Sequence, residues 1–164
     1  MRRQCLTLSL LALFAHPALA ADTAKGDLRT VKACLAKAGD DPASCIGVVA
    51  NPCEETPDGQ TTPGIDECLG REQAAWDVIL NENYKASLAD AKDLDKRLKD
   101  EQGTEPSAAA ALLKAQRAWL AYRDAECDRI FEINKEGTIR TNAASACQND
   151  LTANRAIALR PDQM

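Results

Sequence analysis

Apolar positions recur at three- and four-residue steps through most of the chain, which is the period of an amphipathic α-helix. The longest such stretch predicts one helix from about residue 64 to residue 101, and a turn at 103–106 separates it from a second helix ending near residue 135. The predicted apolar stripe of the first helix comprises Trp76, Ile79, Leu80, Tyr84, Leu88, Leu94 and Leu98. The predicted buried stripe of the second comprises Leu112, Gln116, Trp119, Leu120, Arg123, Cys127 and Ile130.

Shorter helices are predicted on both sides of this pair. After a loose terminus at 21–26, Asp27 can cap a helix to about residue 38, and Asp41-Pro42 can start another that stops before Pro52. Residues 51–63 are rich in Pro, Thr, Asp and Gly and predict a loop. A last helix is predicted from about residue 141 to residue 159.

No segment alternates in the manner of a β-strand, so the predicted fold class is all-α. The predicted architecture is a long antiparallel helical hairpin plus a C-terminal helix, with a short disulfide-stapled N-terminal helical cap. Residues 21–63 form the cap and loop, residues 64–164 form the main helical domain, and the two are predicted to make one globular unit.

The first twenty residues have the organisation of a signal peptide. A positive start at Met1-Arg2-Arg3 precedes the apolar run Leu6–Ala15, and small residues close the segment at Pro17–Ala20. The apolar run is shorter than the roughly 20 residues that span a bilayer, so no membrane span is predicted. We expect cleavage near Ala20 and a protein located in the periplasm or secreted.

Removal of residues 1–20 changes the charge balance. Lys and Arg fall from 20 to 18 against 25 acidic residues, so the net charge moves from −5 to −7. An acidic chain is a poor nucleic-acid binder, because such binding begins with neutralisation of phosphates by Lys and Arg. A hydrophobic content of 45% with only 4% aromatic residues indicates a globular core built mostly from aliphatic side chains.

Cysteines dominate the candidate chemistry of the processed chain. Cleavage removes Cys5 from a total of 7, and an even number in an exported chain indicates three disulfides. Local geometry favours sequential pairing, with a rival that joins Cys68 to Cys147. The favoured pairs are Cys34–Cys45, Cys53–Cys68 and Cys127–Cys147.

The same cleavage excludes several kinds of catalytic and metal site from the processed chain. The single histidine, His16, is removed with the signal peptide, so neither a Ser-His-Asp triad nor a Cys-His pair can form. Without histidine or a C-x-x-C pair, the cysteines do not make a zinc site. We predict no metal and no cofactor. A pair of carboxylates could still act as acid and base, although no spacing singles one out.

Two stretches of the chain have a recognisable arrangement of residues. The first runs Cys68-Leu-Gly-Arg-Glu72 and continues through Trp76 and the Leu80-Asn81-x2-Tyr84 segment. The second is the run Gln116-x2-Trp119-Leu-x-Tyr-Arg-Asp-x2-Cys127, followed by Cys147 and Arg155. Together, over about residues 53–159, they resemble the LprI-type lysozyme-inhibitor domain family. The resemblance implies a small exported helical domain, and a named member of the family inhibits lysozyme. The Cys34/Cys45 pair looks like a subfamily addition.

The motif residues divide into a polar and an apolar set. A buried Arg123 would need a partner, and Glu72 and Asp77 on the preceding helix are the candidates. Such a network either fixes the register of the helices or lines a groove for a ligand or partner. The predicted polar network is Glu72, Asp77, Asn81, Gln116, Arg123 and Arg155. The predicted motif core is Trp76, Leu80, Tyr84, Trp119 and Tyr122.

The resulting functional hypothesis is an exported, disulfide-stabilised, non-enzymatic binding protein that inhibits lysozyme. The negative charge would steer it towards a basic partner, and the acidic residues Glu54, Glu55 and Asp58 of the predicted loop could meet the basic rim of a lysozyme cleft. The alternative is an envelope structural or interaction module with another protein partner. A carboxylate-only enzyme is the third hypothesis. The sequence gives no indication of the oligomeric state.

Overall fold

The computed structural model describes residues 17–102, 105 and 107–161, and all of the regular structure in these ranges is helical. The predicted all-α class is therefore confirmed, as is the disulfide-stapled N-terminal cap. The elements are α1 (Pro17–Leu35), a 3-10 turn (Pro42–Cys45), α2 (Ala50–Glu54), α3 (Thr62–Gln102), α4 (Ala108–Ile133) and α5 (Arg140–Ala158). No helix among the described residues has the length and hydropathy that a bilayer crossing demands.

The three long helices begin and end within two residues of their predicted bounds. Their strong periodicity explains this agreement, because each stripe must be buried along its whole length. The side of α3 that faces the core carries Trp76, Ile79 and Leu80, which are all at most 5% exposed. These three residues fall at three- and four-residue steps, as the sequence pattern requires.

The hydrophobic core lies mainly between α3 and α5, and the cap closes over one end of it. Ala153 and Ala156 of α5 are completely buried, and their small side chains let α5 approach α3 closely. Trp76 belongs to the same cluster as these two alanines and the cap residues Val31 and Val49. The buried members of this cluster are Val31, Cys45, Val49, Ala75, Trp76, Ile79, Leu80, Ala153, Ala156 and Leu159.

Helix α4 is a peripheral helix, which corrects its predicted buried stripe. Of its described residues only Cys127 is buried, and Leu120 is 39% exposed. The other predicted stripe residues are only partly buried. The physical reason is that α5 occupies the face of α3 against which α4 was expected to pack, so α4 presents a narrow face to α5.

The helix bounds of the N-terminal cap differ from the predicted bounds more than those of any other described part of the chain. Helix α1 begins at Pro17, so residues 21–26 are helical instead of loose, while residues 1–16 of the predicted signal peptide lie outside the described part of the chain. The predicted helix after Asp41 is divided into the 3-10 turn and α2, and α2 extends into the predicted loop 51–63. Gly47 causes the division, because its φ of 93° is incompatible with a right-handed helix.

Three disulfides join neighbours in the chain. Cys34–Cys45 ties α1 to the 3-10 turn, Cys53–Cys68 ties α2 to α3, and Cys127–Cys147 ties α4 to α5. The Cα–Cα distances are 5.8, 5.6 and 5.5 Å in that order. The rival Cys68–Cys147 pairing is not formed. Each bridge closes a short loop, of 11, 15 or 20 residues in sequence separation.

The start of α4 is capped from another helix. The carboxylate of Asp95, on α3, accepts hydrogen bonds from the backbone N–H groups of Ser107, Ala108 and Ala109 at 2.9, 2.8 and 3.0 Å. These groups would otherwise lack partners in the first turn of α4, since Ser107 provides no side-chain cap. Asp95 thereby fixes the register between α3 and α4.

We expect Asp95→Ala to lower the melting temperature by several degrees at neutral pH. The N–H groups of Ala109, Ala108 and Ser107 hold the pKa of Asp95 below its ordinary value, although burial opposes them. The stabilisation is therefore present above the pKa of the unfolded chain and is lost as pH falls through the lower folded-state pKa. Melting curves across the acid range should converge for the two proteins. The exposed Asp93→Ala is the control, and an equal effect of that change would contradict the capping role.

Candidate functional site

The most connected side chain among the motif residues is Glu72, which is completely buried. Its Oε1 accepts hydrogen bonds from the backbone N–H of Gly47 at 2.6 Å and from Trp76 Nε1 at 3.1 Å. Its Oε2 accepts from the backbone N–H groups of Val49 and Ala50, both at 2.8 Å. The carboxylate of α3 therefore holds the backbone of the cap.

Helix α5 completes this cluster, because Asn149 Nδ2 donates to Glu72 Oε1 at 3.2 Å. Gly47 is required at its own position for two reasons. Its φ of 93° is unfavourable for other residues, and an added Cβ would lie 2.5 Å from Asn51 Nδ2. The bend at Gly47 turns the backbone N–H groups of Gly47, Val49 and Ala50 towards one carboxylate.

The chemistry of this cluster is that of a buried anion held by neutral donors. All five hydrogen bonds to Glu72 come from N–H groups, and none comes from a cation. Donors of this kind are satisfied by an ionised carboxylate. Burial, together with the charge of Glu72, raises the pKa of the neighbouring Asp150. With no exposed surface, Glu72 has no access to a substrate, and its role is to connect the cap, α3 and α5.

The predicted partnership of Arg123 with Glu72 or Asp77 is wrong. Arg123 donates to Asp124, the next residue, at 3.0 and 2.8 Å, and its guanidinium lies 5.3 Å from the centre of the Trp119 ring. Helix α5 separates Arg123 from α3, which explains the difference. Asp77 forms a separate exposed pair on α3, in which Asn81 Nδ2 donates to its carboxylate at 3.1 Å.

A second polar cluster joins α4 to α5. Arg155 Nε donates to Gln116 Oε1 at 3.0 Å, and the Arg155 guanidinium lies 5.8 Å from the centre of the Trp119 ring. Together with Arg123, it places two cations near one indole. Burial lowers the pKa of Arg155. The predicted polar network is thus divided into the Glu72 cluster, this Trp119 cluster and the separate Asp77–Asn81 pair.

The predicted motif core is distributed in a similar way. Trp76 and Leu80 are buried, Tyr84 packs against the core from a partly buried position, and Trp119 is also partly buried. Tyr122 is 54% exposed, which corrects its assignment to the core. It lies on the outer side of α4, the helix that contributes only one buried residue.

Sequence reasoning missed Asn149 and Thr152, which are 2% and 0% exposed. Both lie on the face of α5 that meets α3, one turn before Ala153 and Ala156 along the helix. The spacing of these four residues is that of a buried helix face. The signal was hidden because small and polar residues occupy positions where large apolar residues were sought. Within the described residues, no group of three or more His, Cys, Asp or Glu side chains is arranged to hold a metal ion.

A known family matches the part of the chain that contains Glu72 and the whole Trp119 cluster, but not the cap residues Gly47, Val49 and Ala50. The family model described as "Lysozyme inhibitor LprI" matches residues 53–159, which is more than half of the chain. The chain belongs to the LprI lysozyme-inhibitor family. The match begins at Cys53, so α1 and the 3-10 turn lie outside it, whereas Glu72, Trp119 and Arg155 lie inside.

A relative of this LprI-family chain occurs in Rhizobium meliloti strain 1021, where it is described as an uncharacterized protein. The two are 30% identical over 119 residues, which cover 71% of this chain and 86% of the relative. No solved structure matches the chain. The family match and the three disulfides are consistent with an extracytoplasmic protein.

Proposed function

We propose that this protein is an exported, non-enzymatic binding protein that inhibits a lysozyme. The observation that carries the proposal is the family match over residues 53–159. Glu72, the most highly connected carboxylate, has both oxygens occupied and no exposed surface, so it stabilises the scaffold and is not available as an acid or a base.

Export is part of the same proposal, with cleavage near Ala20 and residence in the periplasm or outside the cell. Three disulfides support an oxidising compartment. Cleavage at Ala20 would shorten α1 by its first four residues, Pro17–Ala20. The salt bridge between Asp27 and Arg71 and the buried Val31 lie after the cut, so α1 would keep its attachment to α3.

A basic partner is favoured by charge. After cleavage near Ala20 the chain has a formal net charge of −7, and complementary charge accelerates association, most strongly at low ionic strength. Inhibition should therefore weaken as salt is raised.

The test is titration of the purified, oxidised protein into a lysozyme turnover assay at low and at physiological salt. We expect inhibition that saturates stoichiometrically and is stronger at low salt. Protein that has been reduced and alkylated is the control and should be inactive, because its cap is no longer joined to α3. If several lysozymes of different classes keep full activity, the inhibitor proposal is wrong, and an envelope interaction module with another protein partner becomes the working hypothesis.

A further inference from the structure

An open groove runs between α1 and α3. It has a volume of about 660 Å³. Its lining is mostly apolar and includes Val78, which is 42% exposed. The apolar lining consists of Ala24, Leu28, Gly70, Ala74, Ala75 and Val78.

Two salt bridges tie together α1 and α3, the two walls of this α1–α3 groove. Arg71 donates to the two carboxylate oxygens of Asp27 at 2.9 and 2.8 Å, and both residues line the groove. Farther along, Lys32 pairs with Glu82 at 2.7 Å. A Cβ added at Gly70 would meet no atom within 4 Å, so the space above this part of α3 is open. The groove is therefore preformed and does not depend on movement of either helix.

One end of the α1–α3 groove adjoins the most acidic part of the chain. Between Lys37 and Arg71 the sequence has no basic residue, and its formal charge of −7 exceeds the −5 of the whole chain. The acidic residues of this segment are Asp40, Asp41, Glu54, Glu55, Asp58, Asp66 and Glu67. After the proposed cleavage at Ala20 the rest of the chain carries no net charge, so the net negative charge of the exported protein is concentrated in this segment.

Two contacts connect the acidic segment to the groove. The disulfide between Cys53 and Cys68 holds the segment against the start of α3, and Arg71 Nη1 lies 3.6 Å from Cys53 Sγ. Glu67, beside Cys68, is exposed and lines the groove itself. The α1–α3 groove, which is apolar and has an acidic end, is complementary to an apolar side chain that is flanked by Lys or Arg.

We propose that the α1–α3 groove is the surface that docks the basic partner, by receiving an apolar side chain while Glu67 at its acidic end pairs with an adjacent cation. This inference rests on the proposed lysozyme-inhibitor function and specifies its contact surface. Anchoring of one apolar side chain in a pocket, surrounded by a polar rim, is the usual distribution of binding energy in protein interfaces. Lys25 lines the groove on the α1 side, so the partner's cations should lie towards Glu67.

The decisive variant is Gly70→Leu, which fills the groove from a position where the new side chain meets open space. Because glycine is unfavourable inside a helix, this change should keep or raise the melting temperature. We expect the inhibition constant for lysozyme to rise by about tenfold or more. Gly70→Ala should keep inhibition, since a methyl group leaves most of the groove free. Ala118→Leu on the exposed side of α4 is the matched control and should also keep inhibition.

The acidic end is tested separately by Glu67→Gln, with Asp128→Asn on α4 as a control that removes the same charge from another exposed site. Glu67→Gln should weaken inhibition and reduce its salt dependence more than Asp128→Asn does. If wild-type protein inhibits lysozyme and Gly70→Leu inhibits it equally well, the groove assignment is wrong while the proposed function stands. If wild-type protein inhibits no lysozyme, the proposed function and this inference are both wrong.

Discussion

Replacement of Glu72 by alanine is expected to lower the free energy of unfolding by at least about 4 kcal/mol. The change leaves five buried N–H groups without their acceptor, three of them in the cap backbone at Gly47, Val49 and Ala50. Leaving even one buried donor unpaired costs about 1–3 kcal/mol. Denaturant unfolding followed by the fluorescence of the tryptophans measures the effect directly, since Trp76 donates to the same carboxylate.

The Glu72→Gln variant tests how much of the stabilisation by residue 72 depends on the carboxylate and how much on the size of the side chain. An amide of the same size offers one acceptor oxygen, but its NH₂ group must face donors at the other side of the cluster, so we expect a loss of about 2–4 kcal/mol. Glu82→Ala is the matched control on the same helix. Glu82 and Lys32 have side chains that are 52% and 46% exposed, and loss of such a surface pair should cost under about 1 kcal/mol.

A small carboxylate provides a more specific test of the Glu72 cluster. In the Glu72→Ala protein, formate or acetate can occupy the space beside the freed N–H groups and should raise the melting temperature more than chloride at equal ionic strength. Wild-type protein should show no such difference, because its own side chain fills the site. If Glu72→Ala is no less stable than Glu82→Ala, the carboxylate does not hold the cap as argued.

The long helices could be predicted from the sequence because their stripes contain large apolar residues such as Trp76, Ile79 and Leu80 at helical spacing. The cap could not, because its shape depends on the backbone of Gly47 and on hydrogen bonds to a carboxylate that lies 25 residues later. Neither cause leaves a periodic signal. The extended α1 was missed for a related reason, since its first turns contain small and charged residues.

Glu72 and Arg155 were found only through the family motif, and the motif did not specify their partners. The expected contact between α3 and α4 required a hairpin whose two arms touch along the core. Instead, α5 takes that place with Asn149, Ala153 and Ala156, whose side chains give little hydrophobic signal in the sequence. Because α5 and not α4 lies next to the core side of α3, the predicted partnership of Arg123 with a residue of α3 is wrong.

The family-motif residues of this LprI-family chain lie mainly at buried positions and at contacts between helices. Glu72 and Trp76 are completely buried, and Arg155 links α4 to α5, so these residues maintain the scaffold. If the α1–α3 groove docks the partner, partner selection depends on exposed lining residues such as Glu67 and Val78, which are not part of the motif. Two members of the family could therefore share the helical scaffold and bind different partners.

Removal of the Cys127–Cys147 disulfide by a double change to serine is expected to lower the free energy of unfolding by about 3 kcal/mol, since it closes a loop of 20 residues. Cys127 is also the only buried residue among those described in α4, so the loss should fall mainly on that helix. The Arg155–Gln116 hydrogen bond and the Asp95 cap remain to hold it against its neighbours.

Hydrogen exchange resolved by residue distinguishes this local loosening from a uniform loss of stability. In the oxidised double-serine protein, amides of α4 should exchange faster while those of α3 near Trp76 stay protected. Removal of Cys53–Cys68, which closes a loop of 15 residues, is the matched control and should loosen the cap instead. If the α1–α3 groove docks lysozyme, we expect this second change to weaken lysozyme inhibition as well. Loss of Cys127–Cys147 should leave inhibition nearly intact. Equal protection of α4 in both variants would mean that the α4–α5 bridge is not its principal attachment.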